Sequence, residues 1–235
     1  MRISDPLPLN HANDLTYNSR RGLLVAVHNN PNRKLVSFID PETLTVTETV
    51  TLPCRIYSLA YSPERDMYVA GIAGGQSFCL LDAAFRQVGG PFSPTPDTAG
   101  YITQGCACDA RYIYFVLYRQ NVITVYDWEG RHIRTLPITV SGEPENLSQV
   151  GGSLYVASAA GGAQLTRIEL RLHCLARIRV PPLPCAARPR RGSPAPFFRG
   201  ALYRNCFMFW MFLSSNSAMS FASVTSSPQP GRSRY

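Results

Sequence analysis

The sequence lacks the motifs and segments by which many enzymes and membrane proteins are identified. Its 235 residues contain no nucleophile elbow, no phosphate-binding glycine loop and no dinucleotide fingerprint. No segment repeats apolar residues with a helical period. The apolar run CFMFWMFL at 206–213 is much shorter than the about 20 residues that a membrane span needs. We therefore expect no membrane span, and an exposed run of this kind would promote aggregation.

Cysteine is present but not in a pattern that indicates a disulfide scaffold. The seven cysteines are an odd number without regular close spacing, which favours a reducing compartment. The first ten residues, MRISDPLPLN, lack the apolar core of a secretory signal. A cytoplasmic location is therefore the default expectation.

Acidic residues are missing from the C-terminal part of the chain. Residues 1–182 carry all 15 acidic residues and 16 of the 23 lysines and arginines, whereas residues 183–235 carry seven arginines and no acid or lysine. Of the net charge of +8, +7 therefore belongs to the tail and +1 to the body, and the body gives no indication of a nucleic-acid partner. The tail, rich in Arg, Pro and Ser, is expected to be irregular or disordered. It is compatible with translation in a wrong reading frame, with disorder that has no role, or with a basic arm for nucleic acid or anionic lipid.

A repeat of 41 to 46 residues organises the rest of the chain. Four apolar runs mark it, and four acidic residues that close a second apolar run keep the same period. The runs are Leu23 to Ala26, Met67 to Ala70, Ile113 to Val116 and Leu154 to Ala157, and the acidic residues are Asp40, Asp82, Asp127 and Glu169. Agreement between two independent markers predicts four copies of one structural unit.

Each unit has the composition of four short β-strands. The runs LVSFID, QSFCLLD and VITVYD are β-branched and aromatic and are bounded by turn-forming residues. Asp40-Pro41-Glu42-Thr43 and Asp127-Trp128-Glu129-Gly130 match type I turns, so the marker aspartates are expected to accept backbone N–H groups rather than to act in catalysis. Four strands in about 40 residues is typical of a β-propeller blade.

The fold prediction is therefore an all-β propeller with four four-stranded blades. We place the blades at 11–54, 55–100, 101–141 and 142–182, after a lead of residues 1–10 and before the tail at 183–235. The alternating residues of LHCLARIRV at 172–180 would complete the last blade. The four blades either close into a small ring or form part of a propeller with six to eight blades. The sequence favours the second possibility, in which the chain is part of a larger propeller.

Several phrases carry a resemblance to known propellers. The LYVA and YVAG runs followed by a turn aspartate resemble the YVTN and NHL-type bacterial propellers over about residues 11–170. HANDLTYN at 11–18, YIYFVLYRQNVITVYDWEG at 112–130 and GEPENL at 142–147 are similar to a group of bacterial propeller proteins of uncharacterised function. The resemblance implies the fold and little about activity, because propellers serve as binding platforms, scaffolds, lyases and hydrolases.

Polar residues just ahead of the inner strands are the candidate site. The spacing from the apolar runs places Asp14, Ser58, Gln104 and Glu145 at equivalent positions, which predicts a polar ring at the mouth of the central channel. His11, Asn13, Glu143 and Asn146 lie beside it in sequence. Such residues could bind a ligand, or Ca²⁺, Mg²⁺ or Mn²⁺ through carboxylates and one imidazole, or they could simply satisfy strand ends and hydrate the channel. No resident cofactor is predicted.

Other candidate residues have simpler structural explanations. Cys106 and Cys108 are expected to be small buried hydrophobic residues, because sulfurs two positions apart on a strand are too distant for a disulfide. His28, His132 and His173 are expected at the surface or in turns, and GIAGG at 71–75 and AAGGA at 159–163 in hairpin turns.

Two functions follow as hypotheses. The first is a non-catalytic module that binds a protein or glycan through its loop face. The alternative is an ion-assisted lyase or hydrolase with His11, Asp14 and Glu145 near the channel.

Overall fold

The computed structural model describes residues 2–3, 5–9, 11–72, 77–93, 102–118, 120–159, 163–168, 207–211 and 221–224. Within these ranges the chain forms eighteen β-strands and no helix. In chain order they are β1 (Arg2–Ile3), β2 (Ala12–Asn18), β3 (Leu23–His28), β4 (Leu35–Asp40), β5 (Thr45–Thr51), β6 (Ser58–Ser62), β7 (Met67–Ile72), β8 (Ser77–Asp82), β9 (Gln87–Phe92), β10 (Thr103–Cys108), β11 (Tyr112–Leu117), β12 (Val122–Asp127), β13 (His132–Pro137), β14 (Glu143–Val150), β15 (Ser153–Ala159), β16 (Ala163–Ile168), β17 (Phe207–Met211) and β18 (Phe221–Val224).

The fifteen strands β2–β16 pair only with strands that are their neighbours in sequence, in sets of four as the repeat predicts, except that the fourth set has three among the described residues. The antiparallel sheets are β2–β5 (blade 1), β6–β9 (blade 2), β10–β13 (blade 3) and β14–β16 (blade 4). The inner strands β2, β6, β10 and β14 lie around a common axis, which confirms the all-β propeller with four blades. The fourth strand expected at 172–180 lies outside the described residues.

The turn aspartates confirm the role that the sequence predicts for them. Asp40 Oδ1 accepts the N–H groups of Glu42 (2.7 Å) and Thr43 (3.1 Å), in the turn between the third and fourth strands of blade 1. Asp82 and Asp127 accept backbone N–H groups in the same way in blades 2 and 3. These carboxylates stabilise local turns, so the period of the repeat comes from backbone geometry.

Apolar side chains from facing blades form the core. Side chains alternate between the two faces of each sheet, so β3 sends Val25 and Val27 towards blade 2, and Leu24 and Ala26 away from it. One buried cluster lies between blades 1 and 2, a second between blades 2 and 3, and a third between blades 3 and 4. The face of blade 1 that points away from blade 2 is covered by Leu7 and Leu9 from the lead segment.

The cysteines, histidines and glycine-rich stretches agree with the sequence predictions in part. Cys106 and Cys108 are buried and free, as predicted, and burial raises the pKa of both thiols. The surface placement of His28 is wrong: the residue is only 2% exposed, because β3 ends inside the blade and its Nε2 lies 2.9 Å from the hydroxyl of Ser37. His132 is half-buried on β13, and His173 lies outside the described residues. The two glycine-rich stretches fall at hairpins between second and third strands, although 73–76 and 160–162 themselves lie outside the described residues.

A small three-stranded sheet contains strands from both ends of the chain. Strand β18 pairs antiparallel with both β1 and β17, in the order β1-β18-β17. The remainder of 183–235, for which an irregular or disordered tail is expected, lies outside the described residues. In the part of the chain that the structure describes, no helix could cross a membrane.

Candidate functional site

Asp14 lies on the axis where the four inner strands meet. Its side chain is 1% exposed. Oδ2 accepts the N–H of Leu59 in blade 2 (2.8 Å) and the N–H of Cys106 in blade 3 (3.2 Å), and Oδ1 accepts the N–H of Leu15 (2.9 Å). The side-chain amide of Asn146 in blade 4 also donates to Oδ1. One carboxylate therefore connects all four blades.

The protonation of Asp14 reflects two opposing effects. Complete burial raises the pKa of this carboxyl well above its usual range, because the charged form loses its hydration. The N–H donors of Leu59, Leu15 and Cys106 and the amide of Asn146 lower the pKa and oppose that effect. The donors around the side chain take up both oxygens, so the group has no exposed face from which to act on a ligand.

The strand register corrects the predicted equivalence of the ring residues. Asp14 pairs with Val27 and Ser58 with Gly71, at the same position in their blades. The matching residues in blades 3 and 4 are Gly105, opposite Val116, and Asn146, opposite Ala157. The placement of Gln104 and Glu145 in this row is wrong by one residue: each occupies the β-bulge just before the paired residue, because the hairpin that joins the paired residues of the inner and second strands is two residues shorter in blades 3 and 4 than in blades 1 and 2.

Gly105 has a steric role in this row. A Cβ atom at this position would lie 2.4 Å from the backbone N of Leu147 and 2.7 Å from Cα of Asn146. Because such contacts are far inside van der Waals separation, only glycine allows β14 to approach β10 this closely. The close approach brings the amide of Asn146 within hydrogen-bonding reach of Asp14.

The bulge residues form a second polar layer, closer to the channel mouth. Asn13 occupies the bulge of β2, and its side-chain amide donates to the carbonyl of Tyr57. Nε2 of Gln104 donates to Oε2 of Glu145 at 2.9 Å. The side chains of Asn13, Gln104 and Glu145 are half-buried. Burial raises the pKa of Glu145, the amide of Gln104 lowers it, and the charge of Glu143 raises it further.

The remaining predicted residues have separate environments. Ser58 is fully buried, with its hydroxyl 3.4 Å from that of Thr103. His11 is exposed, and its backbone carbonyl accepts the N–H of Asn29. Glu143 is half-buried at the start of β14. The structure therefore brings together Asp14 with Asn146, and Gln104 with Glu145, but buries Ser58 away from an exposed His11.

Several residues of these layers were not predicted from the sequence. Tyr57, Asn29 and Ser148 contribute a carbonyl, an amide and a hydroxyl to contacts with Asn13 and Asn146. A signal was available for Tyr57, which directly precedes the predicted Ser58. The others lie in the loop after the second strand or within an inner strand, where a linear pattern does not show what they contact.

A metal site is not assembled in the described part of the chain. No three His, Cys, Asp or Glu side chains there lie close enough together to hold an ion. Asn13, Gln104 and Glu145 offer oxygen atoms at the mouth, but only one of them is a carboxylate. Hard divalent cations prefer several carboxylate oxygens, so these three residues alone are a weak ligand set.

Comparisons with known proteins give fold-level likenesses. No protein-family model matches the chain, and the search of curated proteins found no significant match. Among solved structures, Kuenenia stuttgartiensis hydrazine synthase aligns with a TM-score of 0.47 at 16% identity, over 70% of this chain and 47% of the other. U3-55K aligns with a TM-score of 0.47 at 10% identity, over 71% and 53% of the two chains. The WD40 repeats of RRP9 align with a TM-score of 0.46 at 10% identity, over 71% and 56%. This chain spans about half the length of the solved structures it matches.

Proposed function

We propose that residues 11–182 form a non-catalytic β-propeller module, of the YVTN- or NHL-like bacterial type, that binds a protein or glycan through the loop face at the channel mouth. The observation that carries the proposal is the environment of Asp14. This carboxylate would be the natural catalytic group of the axis, and three of its four hydrogen bonds join blade 1 to the other blades. The phrases at 11–18, 112–130 and 142–147 support the family assignment.

The mouth layer is the part of the axis that supports binding. Gln104 and Glu145 are half-buried, and the hydrogen bond between them uses one amide hydrogen and one carboxylate oxygen. The other carboxylate oxygen of Glu145 and the carbonyl of Gln104 are then acceptors for a ligand. Half-buried polar groups near an exposed loop face can give a ligand a defined orientation.

A binding screen with a matched variant tests the proposal. The full chain is immobilised and probed with a displayed peptide library and with a glycan array. We expect either the peptide library or the glycan array to yield ligands. Glu145→Gln should weaken their binding about tenfold or more, because a hydrogen bond to a charged group contributes about 1.5–3 kcal/mol. Glu129→Gln, in an exposed turn on the opposite face, is the control. The proposal is contradicted by ligands that bind both variants equally. It is also contradicted if neither library yields a ligand.

The ion-assisted lyase or hydrolase is the less supported alternative. It needs His11, Asp14 and Glu145 to act together, yet His11 is exposed and Asp14 is buried. Calorimetric titration of the full chain with Ca²⁺, Mg²⁺ and Mn²⁺ separates the two functions. Heat of binding together with a higher melting temperature would favour the alternative, because an ion that binds only the folded state stabilises it.

A further inference from the structure

Two loops at the mouth end of blade 1 carry basic residues and no acidic ones. The loop between β3 and β4, residues 29–34, contains Arg33 and Lys34. The loop between β5 and β6, residues 52–57, contains Arg55. Neither loop contains Asp or Glu. The two loops therefore place three positive charges at this end of the blade.

Hydrogen bonds bring the two loops together. The backbone N–H of Leu52 donates to the carbonyl of Lys34 (2.8 Å), and Nζ of Lys34 donates to the carbonyl of Pro53 (3.0 Å). Arg55 follows Pro53 by two residues, so their Cα atoms lie at most about 7 Å apart. Arg33 directly precedes Lys34. The three cations therefore lie together, and we call Arg33, Lys34 and Arg55 the basic patch.

The basic patch lies beside the mouth layer. In the first loop, the side-chain amide of Asn29 donates to Oδ1 of Asn13 at 3.1 Å. The amide of Asn13 in turn donates to the carbonyl of Tyr57, in the second loop. Asn13 thus connects both loops to the inner strand of blade 1, and the patch and the mouth layer are parts of one face.

The cations of the patch have no carboxylate partner among the described residues. Lys34 donates to a neutral carbonyl. The ion pairs of the described chain all use arginines of turns at the opposite end of the blades, namely Arg20, Arg21, Arg86 and Arg131. The patch therefore remains available to a negatively charged ligand.

Arg33 is held in place at an energetic cost. Its side chain is half-buried, and its Nε is buried without a hydrogen-bond partner among the described residues. An unsatisfied buried donor is unfavourable, so an arginine that needed only hydration would extend into water. A guanidinium held in this way is preorganised for a carboxylate, which it can bind through two parallel N–H groups.

We propose that the basic patch binds an acidic segment of a partner protein, whose Asp or Glu carboxylates pair with Arg33 and Arg55. The inference rests on the proposed function, because it names the chemistry of a partner bound at the loop face. Charge complementarity favours an acidic segment. A peptide is favoured over nucleic acid or a sulfated glycan because Glu143 and Glu145, at the mouth in blade 4, would repel a polyanion that continued across the face. A peptide can place backbone N–H donors there instead.

Photo-crosslinking on the full chain tests the patch. The probe is a short peptide that alternates Asp and Gly and carries a benzophenone, and the matched probe has Asn in place of Asp. We expect the Asp probe to crosslink to peptides covering 29–34 or 52–57, with a yield that falls at high ionic strength. The double variant Arg33→Gln/Arg55→Gln should lower this yield about tenfold or more.

A second double variant is the control. Arg111→Gln/Arg134→Gln removes the same charge from the hairpin at the opposite end of blade 3 and from the outer strand β13, so it should leave the yield unchanged. Three outcomes would overturn the patch. The Asn probe could crosslink as well as the Asp probe, the crosslinks could be confined to the arginine-rich residues 183–235, or single-stranded DNA or a sulfated oligosaccharide could bind more tightly with the same dependence on Arg33 and Arg55.

The variant Glu145→Gln separates failure of the patch from failure of the proposed function. If screened ligands depend on Glu145 and crosslinking does not depend on Arg33 and Arg55, only the patch is wrong. If crosslinking depends on the two arginines and no screened ligand depends on Glu145, the patch stands and binding through the mouth layer is wrong.

Discussion

Asp14 and Asn146 are 132 residues apart in the sequence and are hydrogen-bonded at the axis of the propeller. The contact joins the inner strand of the first blade to that of the fourth, and Asp14 also accepts backbone N–H groups from the second and third blades. A single carboxylate in the first repeat thus completes the contacts of the whole ring. Residues predicted as candidate ligand-binding groups serve here as structural connections.

Removal of the Asp14 carboxylate should destabilise the whole propeller. Asp14→Ala leaves the buried N–H groups of Leu59 and Cys106 without an acceptor, and each unsatisfied buried donor costs about 1–3 kcal/mol. We expect a loss of roughly 3–5 kcal/mol in the free energy of unfolding, measured by urea denaturation. Asp82→Ala, which removes a turn carboxylate, is the control with a much smaller expected loss. Equal losses for the two variants would show that the axial contacts contribute little.

Glu145 should make the stability depend on pH. Its pKa is raised in the folded state, so the folded form holds its proton to a higher pH than the unfolded form does. Its contribution to stability is therefore fully present below the ordinary pKa of glutamate and is lost as pH rises through the raised value. Glu145→Gln mimics the protonated form, so it should gain stability over the parent at pH 7 and lose that advantage near pH 4, as measured by urea unfolding across this range. A difference that does not change with pH contradicts the shift.

A methyl group at position 105 should separate the inner strands of blades 3 and 4. Gly105→Ala places its Cβ against the backbone of Asn146 and Leu147, which cannot yield as a flexible side chain can. We expect a loss of roughly 2–4 kcal/mol by thermal or urea unfolding. Gly151→Asn is the control, since nothing lies within 4 Å of a Cβ there and asparagine tolerates its positive φ of 56°. If Gly105→Ala is as stable as this control, the close approach of β10 and β14 is disproved.

Thiol labelling should separate the cysteines of the described chain by burial. Cys54 is exposed, whereas Cys79, Cys106 and Cys108 are buried and burial raises the pKa of their thiols. Because the thiolate is the reactive form, iodoacetamide should label Cys54 in the native protein and reach the other three only after denaturation. Peptide mass spectrometry gives the extent of labelling at each position. Rapid native labelling of Cys106 would mean that the blade 2 to blade 3 core opens readily.

The local elements of this protein follow from its amino-acid sequence alone. Strand residues at a period of two and turn residues such as Asp40 and Asp127 are encoded within a few neighbouring positions, so the blades and their turns follow from propensity and turn chemistry. The repeat then predicted the number of blades, because each copy of the repeat forms one sheet that must pack against its neighbours.

The roles of the axial residues depend on tertiary contacts. The hairpins that join the inner and second strands of blades 3 and 4 are two residues shorter than those of blades 1 and 2, so counting back from the apolar runs placed Gln104 and Glu145 one position before the residues that lie in register. The role of Asp14 depends on donors from Leu59, Cys106 and Asn146. These contacts join residues far apart in the chain, and their energies depend on distance and burial, which no local pattern contains.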